Sequence, residues 1–199
     1  MSNRKRYFLL HKPYKVLSQF TDENGNPGLK QIVKVPNDVY PVGRLDLDSE
    51  GLLLLTNDRQ LNSKLLDPKR GHKRRYWVEV EGKPSLESIA KLERGLEIKV
   101  KSKRYKTLPA RCKMLKDPIS IEERCPPVNH KKHPVRSWLE IEIVEGKNRQ
   151  VRKMTAKIGH PTLRLIRISI QELRLNPLKS GEIMEVTREL VYKKLGLIG

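Results

Sequence analysis

Residues 43–58 read Gly43-Arg44-Leu45-Asp46-Leu47-Asp48-Ser49-Glu50-Gly51-Leu52-Leu53-Leu54-Leu55-Thr56-Asn57-Asp58. One arginine and several carboxylates stand directly before a run of four leucines. Because the run is short and bounded by turn residues, it predicts a buried interior strand from Gly51 to Leu55. The acidic residues are therefore held at the edge of that strand. In a chain with a formal net charge of +19, a carboxylate fixed beside arginine indicates more than a solvated loop.

The composition excludes several classes of protein. With 199 residues, 33% of them charged and 37% hydrophobic, the chain can bury a full core. No apolar run approaches the roughly 18 residues of a membrane span, and a strand-like segment follows the basic N-terminus where a signal peptide would be apolar. We therefore expect a cytoplasmic protein with no membrane partner, in which Cys112 and Cys125 are reduced.

The positive charge predicts a polyanionic partner. Lysine and arginine number 42 against 23 acidic residues, and nucleic acid is the first candidate for such a surface. A solvated basic surface is the alternative, although +19 exceeds the magnitude of about 2–8 that solubility needs. The charge is dispersed over Arg4–Arg6, Lys69–Arg75, Lys99–Lys106, His130–Arg136 and Lys147–Lys157.

Periodicity and turn residues predict an α+β fold with a largely antiparallel sheet, because strands outnumber helices and do not alternate with them strictly. A basic connector at residues 68–74 suggests two lobes, at about 1–70 and 71–199. Residues 101–135 read as irregular, with short strands near Ala110–Met114 and Ile119–Ile121. The other predicted strands are Tyr7–Leu10, Gly51–Leu55, Arg75–Val80, Leu96–Val100, Trp138–Val144 and Leu163–Ile170, and the predicted helices are 58–66, 85–94, 148–158 and 187–195.

Three segments combine a reactive group with basic residues. An aspartate kept ionised by a nearby arginine can act as a nucleophile or base near neutral pH. A tyrosine ring can stack on a uracil, and an arginine can fill the space that a flipped base leaves in its stack. The segments are Gly43-Arg44-Leu45-Asp46, Arg74-Arg75-Tyr76-Trp77-Val78 and Glu145-Gly146-Lys147-Asn148-Arg149-Gln150-Val151-Arg152-Lys153-Met154.

These segments resemble motifs I, II and III of the pseudouridine synthases, in the branch that includes the ribosomal small-subunit enzyme A and large-subunit enzymes B, E and F. Gly-Arg-Leu-Asp followed by Asp-Ser-Glu-Gly-Leu-Leu is the most specific signature of that branch. The resemblance implies the pseudouridine synthase fold, with a mixed, mostly antiparallel central sheet flanked by helices and a catalytic cleft between two lobes. It also implies that residues 1–199 form a single catalytic domain, without the S4-type domain that many relatives carry.

The resemblance also implies roles for individual residues. Asp46 would be the catalytic aspartate, Tyr76 the ring that packs on the target base, and Arg152 the basic partner of the aspartate. Arg44 would enter the RNA stack as the uridine flips. Motif II is usually Lys-x-Tyr, so the arginine at position 74 keeps the charge but leaves its role open. The residues expected to bind RNA are Arg44, Arg74, Lys147, Arg149, Lys153 and Arg167.

Metal sites are weak alternatives. Residues 46–51 mimic the first half of a calcium loop, but Asn57 stands where that loop needs a bidentate glutamate. Cys112 and Cys125 are too far apart in sequence for a structural zinc site with His130 and His133. We therefore expect no metal and no cofactor, which fits an isomerisation without redox change.

The sequence therefore predicts a monomeric enzyme that isomerises a uridine of large-subunit ribosomal RNA to pseudouridine. Two alternatives stay open. One is a non-catalytic factor that binds ribosomal RNA during ribosome assembly, and the other is a pseudouridine synthase that acts on transfer RNA.

Overall fold

The leucine run of residues 52–55 is fully buried. In the computed structural model, which describes residues 4–116 and 121–198, the strand Glu50–Thr56 contains the run, and each of the four leucines is 0% exposed. Burial on both faces explains why the run is continuous and does not alternate. The predicted interior strand is confirmed, and the loop that precedes it is anchored to the core.

The described residues form eleven strands and four α-helices, which confirms the predicted α+β class. The strands are β1 Tyr7–Lys12, β2 Tyr40–Pro41, β3 Glu50–Thr56, β4 Arg74–Glu81, β5 Glu97–Val100, β6 Lys103–Lys106, β7 Arg111–Leu115, β8 Arg136–Ile143, β9 Thr162–Ile170, β10 Leu173–Arg174 and β11 Ile183–Val186. The helices are α1 Arg59–Leu66, α2 Leu86–Glu93, α3 Gln150–Lys157 and α4 Arg188–Lys194.

Side-chain caps explain where three helices begin. The Asp58, Ser85 and Thr187 side chains accept hydrogen bonds from backbone amides in the first turns of α1, α2 and α4. Helix α3 begins at Gln150, later than the predicted start at residue 148, and the residue before it has a left-handed backbone with φ of 51°. No helix within the described ranges has the length and apolar character needed to cross a bilayer.

The chain folds into two compact units. Unit 1 comprises Met1–His72 and Arg167–Gly199, and unit 2 comprises Lys73–Ile166. The first boundary falls in the basic connector that the sequence indicates. The sequence placed residues 71–199 in one lobe, whereas the chain returns to unit 1 at Arg167. The return follows from long-range pairing, because β1 pairs with β11 near the other end of the chain.

In unit 1 the strand order is β11-β1-β3-β9, with β2 paired to β3 and β10 paired to β9. Strand β1 runs antiparallel to both β3 and β11. One core of this unit packs around Phe8, Leu10, Leu29, Leu53 and Leu55. The same core includes Leu45, one residue before Asp46.

In unit 2 the strand order is β9-β4-β8-β7, and β5 and β6 form a separate antiparallel hairpin. The prediction of irregular structure was wrong for Lys103–Lys106, which forms β6. Much of the strand predicted near Ile119–Ile121 lies outside the described residues. The core of this unit includes Tyr76 of β4 and two residues of α3, Val151 and Met154.

Candidate active site

The loop that carries Asp46 is held from both sides by the segment after β1. The Ser18 hydroxyl accepts a hydrogen bond from the Leu45 amide at 3.0 Å and donates to the Leu45 carbonyl at 2.9 Å. The Lys15 amide donates to the Leu47 carbonyl at 2.9 Å. A turn closes when the Ser49 amide donates to the Asp46 carbonyl at 3.0 Å. The backbone at Asp46 is therefore fixed, while Asp46 is half-buried and Arg44 is exposed.

A buried lysine lies in the same unit as this loop and near it. Lys12 is 0% exposed, and its ammonium donates to the carbonyls of Pro13 at 2.8 Å and Val16 at 2.7 Å. Burial lowers the pKa of Lys12 to about 8, and the nearby carboxylates of Glu50, Asp48 and Asp46 oppose that change. The acidic loop thus has a cationic neighbour that the sequence analysis did not identify.

The close approach of the Arg167 backbone to β3 explains why the Asp-Ser-Glu-Gly signature ends in glycine. Gly51 has φ of +105°, and a Cβ atom there would lie 2.4 Å from the carbonyl oxygen of Arg167. Arg167, predicted to bind RNA, is 5% exposed, and its Nε donates to the Leu52 carbonyl at 2.8 Å. This arginine braces β3, so its burial leaves little surface for a phosphate.

In unit 2, β4 presents the second segment. Tyr76 is 8% exposed and packs in the core of this unit. Alternation places Arg74 on the same face of the strand, and its Nη1 lies 4.0 Å from the position that a Cβ would take on Gly146. Arg75 points the other way and pairs with Glu142 at 2.8 Å. The structure therefore brings Arg74 of the second segment beside the third segment.

The third segment is a turn that leads into α3. Arg149 is exposed, and Lys153 donates to the Asn148 carbonyl at 2.8 Å, which closes the turn. Arg152 is half-buried, and its Nη1 lies 3.4 Å from the Thr162 carbonyl oxygen. Lys147 is exposed, and its ammonium lies over the Tyr105 ring at 4.7 Å from the centroid.

Two polar residues that the sequence analysis gave no role, the half-buried Glu145 and the buried Gln150, hold this turn. Glu145 accepts hydrogen bonds from the Tyr105 hydroxyl at 2.5 Å, the Leu108 amide at 2.8 Å and the Gln150 side chain at 2.6 Å. Gln150 is 3% exposed, and its side-chain oxygen accepts from the Lys147 amide at 2.9 Å. The third segment is therefore fixed at Glu145 and again at Gln150.

The described part of the chain holds no group of three or more histidine, cysteine or acidic side chains placed to bind a metal ion. His133, considered above for zinc, bonds to Glu81 at 3.0 Å. Burial raises the pKa of Cys112 to about 12. The reactive groups that the three segments carry are carboxylates, a tyrosine and guanidinium groups.

The sequence pattern of the RNA pseudouridylate synthases matches residues 6–157, which contain all three segments. The chain belongs to the RNA pseudouridylate synthase family. This membership confirms the fold and the class of enzyme that the three segments indicate, an isomerase that forms pseudouridine.

Two curated relatives of this pseudouridine synthase have the same name. The chain is 46% identical over 186 residues to ribosomal large subunit pseudouridine synthase E of Vibrio parahaemolyticus, covering 94% of this chain and 75% of the relative. It is 45% identical over 172 residues to the protein of that name from Xanthomonas axonopodis pv. citri, covering 85% of this chain and 88% of the relative. The branch that the three segments resemble includes large-subunit enzyme E, so the names of these relatives agree with that resemblance.

A solved structure gives the same result for the fold of this pseudouridine synthase. A structure described as a pseudouridylate synthase superposes with a TM-score of 0.77 at 25% identity, covering 96% of this chain and 74% of that one. The shared fold therefore extends over nearly the whole chain.

Proposed function

We propose that this enzyme converts a specific uridine of large-subunit ribosomal RNA to pseudouridine. Two findings support the choice of RNA. Relatives at 45–46% identity are named large-subunit pseudouridine synthases, and the net charge of +19 suits a polyanion. The proposal includes a monomeric catalytic domain, and a cytoplasmic location fits the free thiols of Cys112 and Cys125.

Asp46 carries the proposal, because it is the carboxylate among the predicted site residues and hydrogen bonds fix the backbone of its loop. A nucleophile or base must be positioned before the reaction, and bonds to Leu45, Leu47 and Ser49 fix the backbone on both sides. In the proposed reaction, Asp46 attacks C1′ of the ribose as the N-glycosidic bond breaks, and the uracil leaves as an anion. The uracil turns, its C5 bonds to C1′ and displaces the Asp46 carboxylate, and the proton that C5 then loses is balanced by one gained at N1. Substrate and product are isomers, so no redox partner is needed.

The remaining predicted residues take supporting roles in this proposal. Tyr76 would pack on the flipped uracil, and Arg152 would supply positive charge to the reacting groups. The exposed guanidinium of Arg44 would fill the gap in the RNA stack. Arg74, Lys147, Arg149 and Lys153 would contact phosphates. Arg167 is assigned to the support of β3 because it is 5% exposed.

The test is Asp46→Asn, which removes the charge and keeps the shape. We expect pseudouridine formation to fall by at least about a thousand-fold, because the reaction loses its nucleophile. RNA affinity should stay within about threefold of wild type, since one fewer anion does not weaken phosphate binding. Asp22→Asn is the matched control, an exposed aspartate in the same unit, and should retain full activity.

The assay uses purified protein and protein-free large-subunit ribosomal RNA, with pseudouridines located by sequencing. Wild-type protein that binds this RNA tightly but forms no pseudouridine would favour the assembly-factor alternative. Activity on transfer RNA alone would favour the second alternative, a pseudouridine synthase that acts on transfer RNA. An active Asp46→Asn variant would remove the proposed mechanism.

A further inference from the structure

The β5–β6 hairpin of unit 2 is a second basic feature, outside the three motifs. Residues 97–106 contain five lysines and arginines and one glutamate, and all five cationic side chains belong to exposed residues. Lys99 lies directly opposite Arg104 in the antiparallel register. Like charges placed opposite each other destabilise a strand pair, so stability alone does not favour this sequence.

The two faces of the hairpin differ. Ile98, 4% exposed, and its partner Tyr105 lie on the face that packs against the core of unit 2. The opposite face presents Lys99 and Arg104, and the turn adds Lys101. An ion pair between Arg104 and Glu97 at 3.4 Å is highly exposed and therefore weak. The outer face is thus a cationic surface on a firmly packed base.

A specific contact joins this hairpin to the third segment. The Tyr105 hydroxyl donates to Glu145, and the same carboxylate binds the Gln150 amide group. Hydrogen bonding to Glu145 and burial raise the pKa of Tyr105 to about 12, so the hydroxyl keeps its proton at physiological pH. The Lys147 ammonium rests over the Tyr105 ring. The hairpin and the turn bearing Lys147 and Arg149 are therefore held together.

We propose that the β5–β6 hairpin is an RNA-binding arm, held to the turn of residues 145–149 by the Tyr105–Glu145 hydrogen bond, that contacts phosphates outside the target nucleotide. The inference rests on the proposed function for the identity of the RNA. The basis is geometric. The like charges on the outer face destabilise the pairing of β5 with β6, and the hairpin is fixed to the turn that carries two predicted RNA contacts, Lys147 and Arg149. RNA is the favoured occupant because the charge excess suits a phosphate chain and the hairpin offers no exposed apolar side chain for a protein partner.

The test is a triple variant, Lys99→Gln, Lys101→Gln and Lys103→Gln. On protein-free large-subunit ribosomal RNA at about 0.1 M salt, loss of three phosphate contacts should weaken binding roughly 10- to 100-fold. The log–log slope of affinity against salt should become shallower by about 2. The rate of pseudouridine formation at saturating RNA should not change, and the melting temperature should equal or exceed that of wild type.

The matched control neutralises three exposed lysines elsewhere, Lys30→Gln, Lys34→Gln and Lys193→Gln. Equal losses in the control and the arm variant would show that net charge alone matters and would overturn the proposal. Unchanged RNA affinity in the arm variant would overturn it as well. A short transcript of about ten nucleotides around the modified uridine should bind both triple variants equally, since the arm reaches flanking RNA.

The Tyr105–Glu145 contact is tested by a double-mutant cycle. Tyr105→Phe removes the hydroxyl and keeps the ring under Lys147. If the hydrogen bond positions the arm, the three lysine substitutions should weaken RNA binding severalfold less in the Tyr105→Phe background. Strict additivity would exclude the positioning role. If the wild-type protein forms no pseudouridine while the arm variant still loses RNA affinity, the proposed function is contradicted and the RNA-binding arm is supported.

Discussion

Lys12 is an unusual residue for the interior of a protein. Its ammonium group is 0% exposed and is satisfied by two backbone carbonyls, with carboxylates nearby. Desolvation penalises the charged form, and the acidic neighbours compensate only in part. The protonation state of Lys12 is therefore poised near physiological pH and close to the loop of Asp46.

The pH dependence of stability should reveal this lysine. Its pKa is about 8 in the folded protein and about 10.5 in the unfolded chain, so between these values the unfolded state binds more protons. Stability conferred by Lys12 should therefore rise with pH across this window, by roughly 3 kcal/mol in full. The measurement is urea unfolding of wild type and Lys12→Met from pH 7 to 10.5. A free-energy difference between the two proteins that stays constant with pH would contradict the assignment.

At the level of residues, the sequence identified groups that react and missed those that support them. Asp46 stands in a motif whose carboxylates and leucines are contiguous, so its placement follows from local pattern. Ser18 bonds to that loop from a different segment, and Lys12 lies near its carboxylates, but nothing local marks a lysine as buried. Glu145 and Gln150 stood within a quoted motif, yet their hydrogen bonds to Tyr105 and Lys147 needed the folded hairpin and turn.

Among the elements, α1 is tied to β1 and α4 through one carboxylate. Asp58 accepts hydrogen bonds from the hydroxyls of Tyr7 at 2.7 Å and Tyr192 at 2.6 Å, and its other oxygen caps α1. Burial acts to raise the pKa of Asp58, but the hydroxyl and amide donors outweigh it and lower the pKa. Three elements of unit 1 therefore depend on an ionised aspartate.

Asp58→Ala should destabilise the protein by about 2–4 kcal/mol, because a cap is lost and two buried hydroxyls lose their acceptor. Since the pKa of Asp58 is lowered on folding, its contribution is present above the ordinary pKa near 4 and is lost as pH falls through the folded value. Urea unfolding at pH 7 and pH 3.5 measures both effects. Tyr192→Phe is the milder control, at about 1 kcal/mol. A variant equally destabilised at both pH values would contradict the electrostatic part.

Elements with local signals were predicted well, and elements defined by distant partners were not. Capping residues and periodicity marked α1, α2 and α4 to within a residue. The strand Ile183–Val186 lacked a local signal, because it is defined by pairing with β1. Lys103–Lys106 was missed because four polar and aromatic residues read as a loop, although pairing with β5 and packing of Tyr105 make it a strand.

The division of the whole molecule also depends on long-range pairing. The basic connector marked the end of the first part of unit 1, since composition changes there. The return at Arg167 was invisible, because β9 continues without a break in its apolar pattern from unit 2 into unit 1. Family resemblance provided the overall fold before the topology could be argued from residues alone.

The charge of the whole molecule leads to a prediction about RNA affinity. Four proposed phosphate contacts, Arg74, Lys147, Arg149 and Lys153, and three lysines of the hairpin would neutralise about seven phosphates. At about 0.7 per phosphate on single strands, the log–log slope of affinity against salt should be about −5. Asp46→Asn should keep this slope, because it removes no cation. A titration on protein-free large-subunit ribosomal RNA between about 0.05 and 0.3 M salt measures it. A slope near zero would mean that the +19 charge serves solubility and not RNA binding. A much steeper slope would indicate that further basic clusters of unit 1 and unit 2 also contact the RNA.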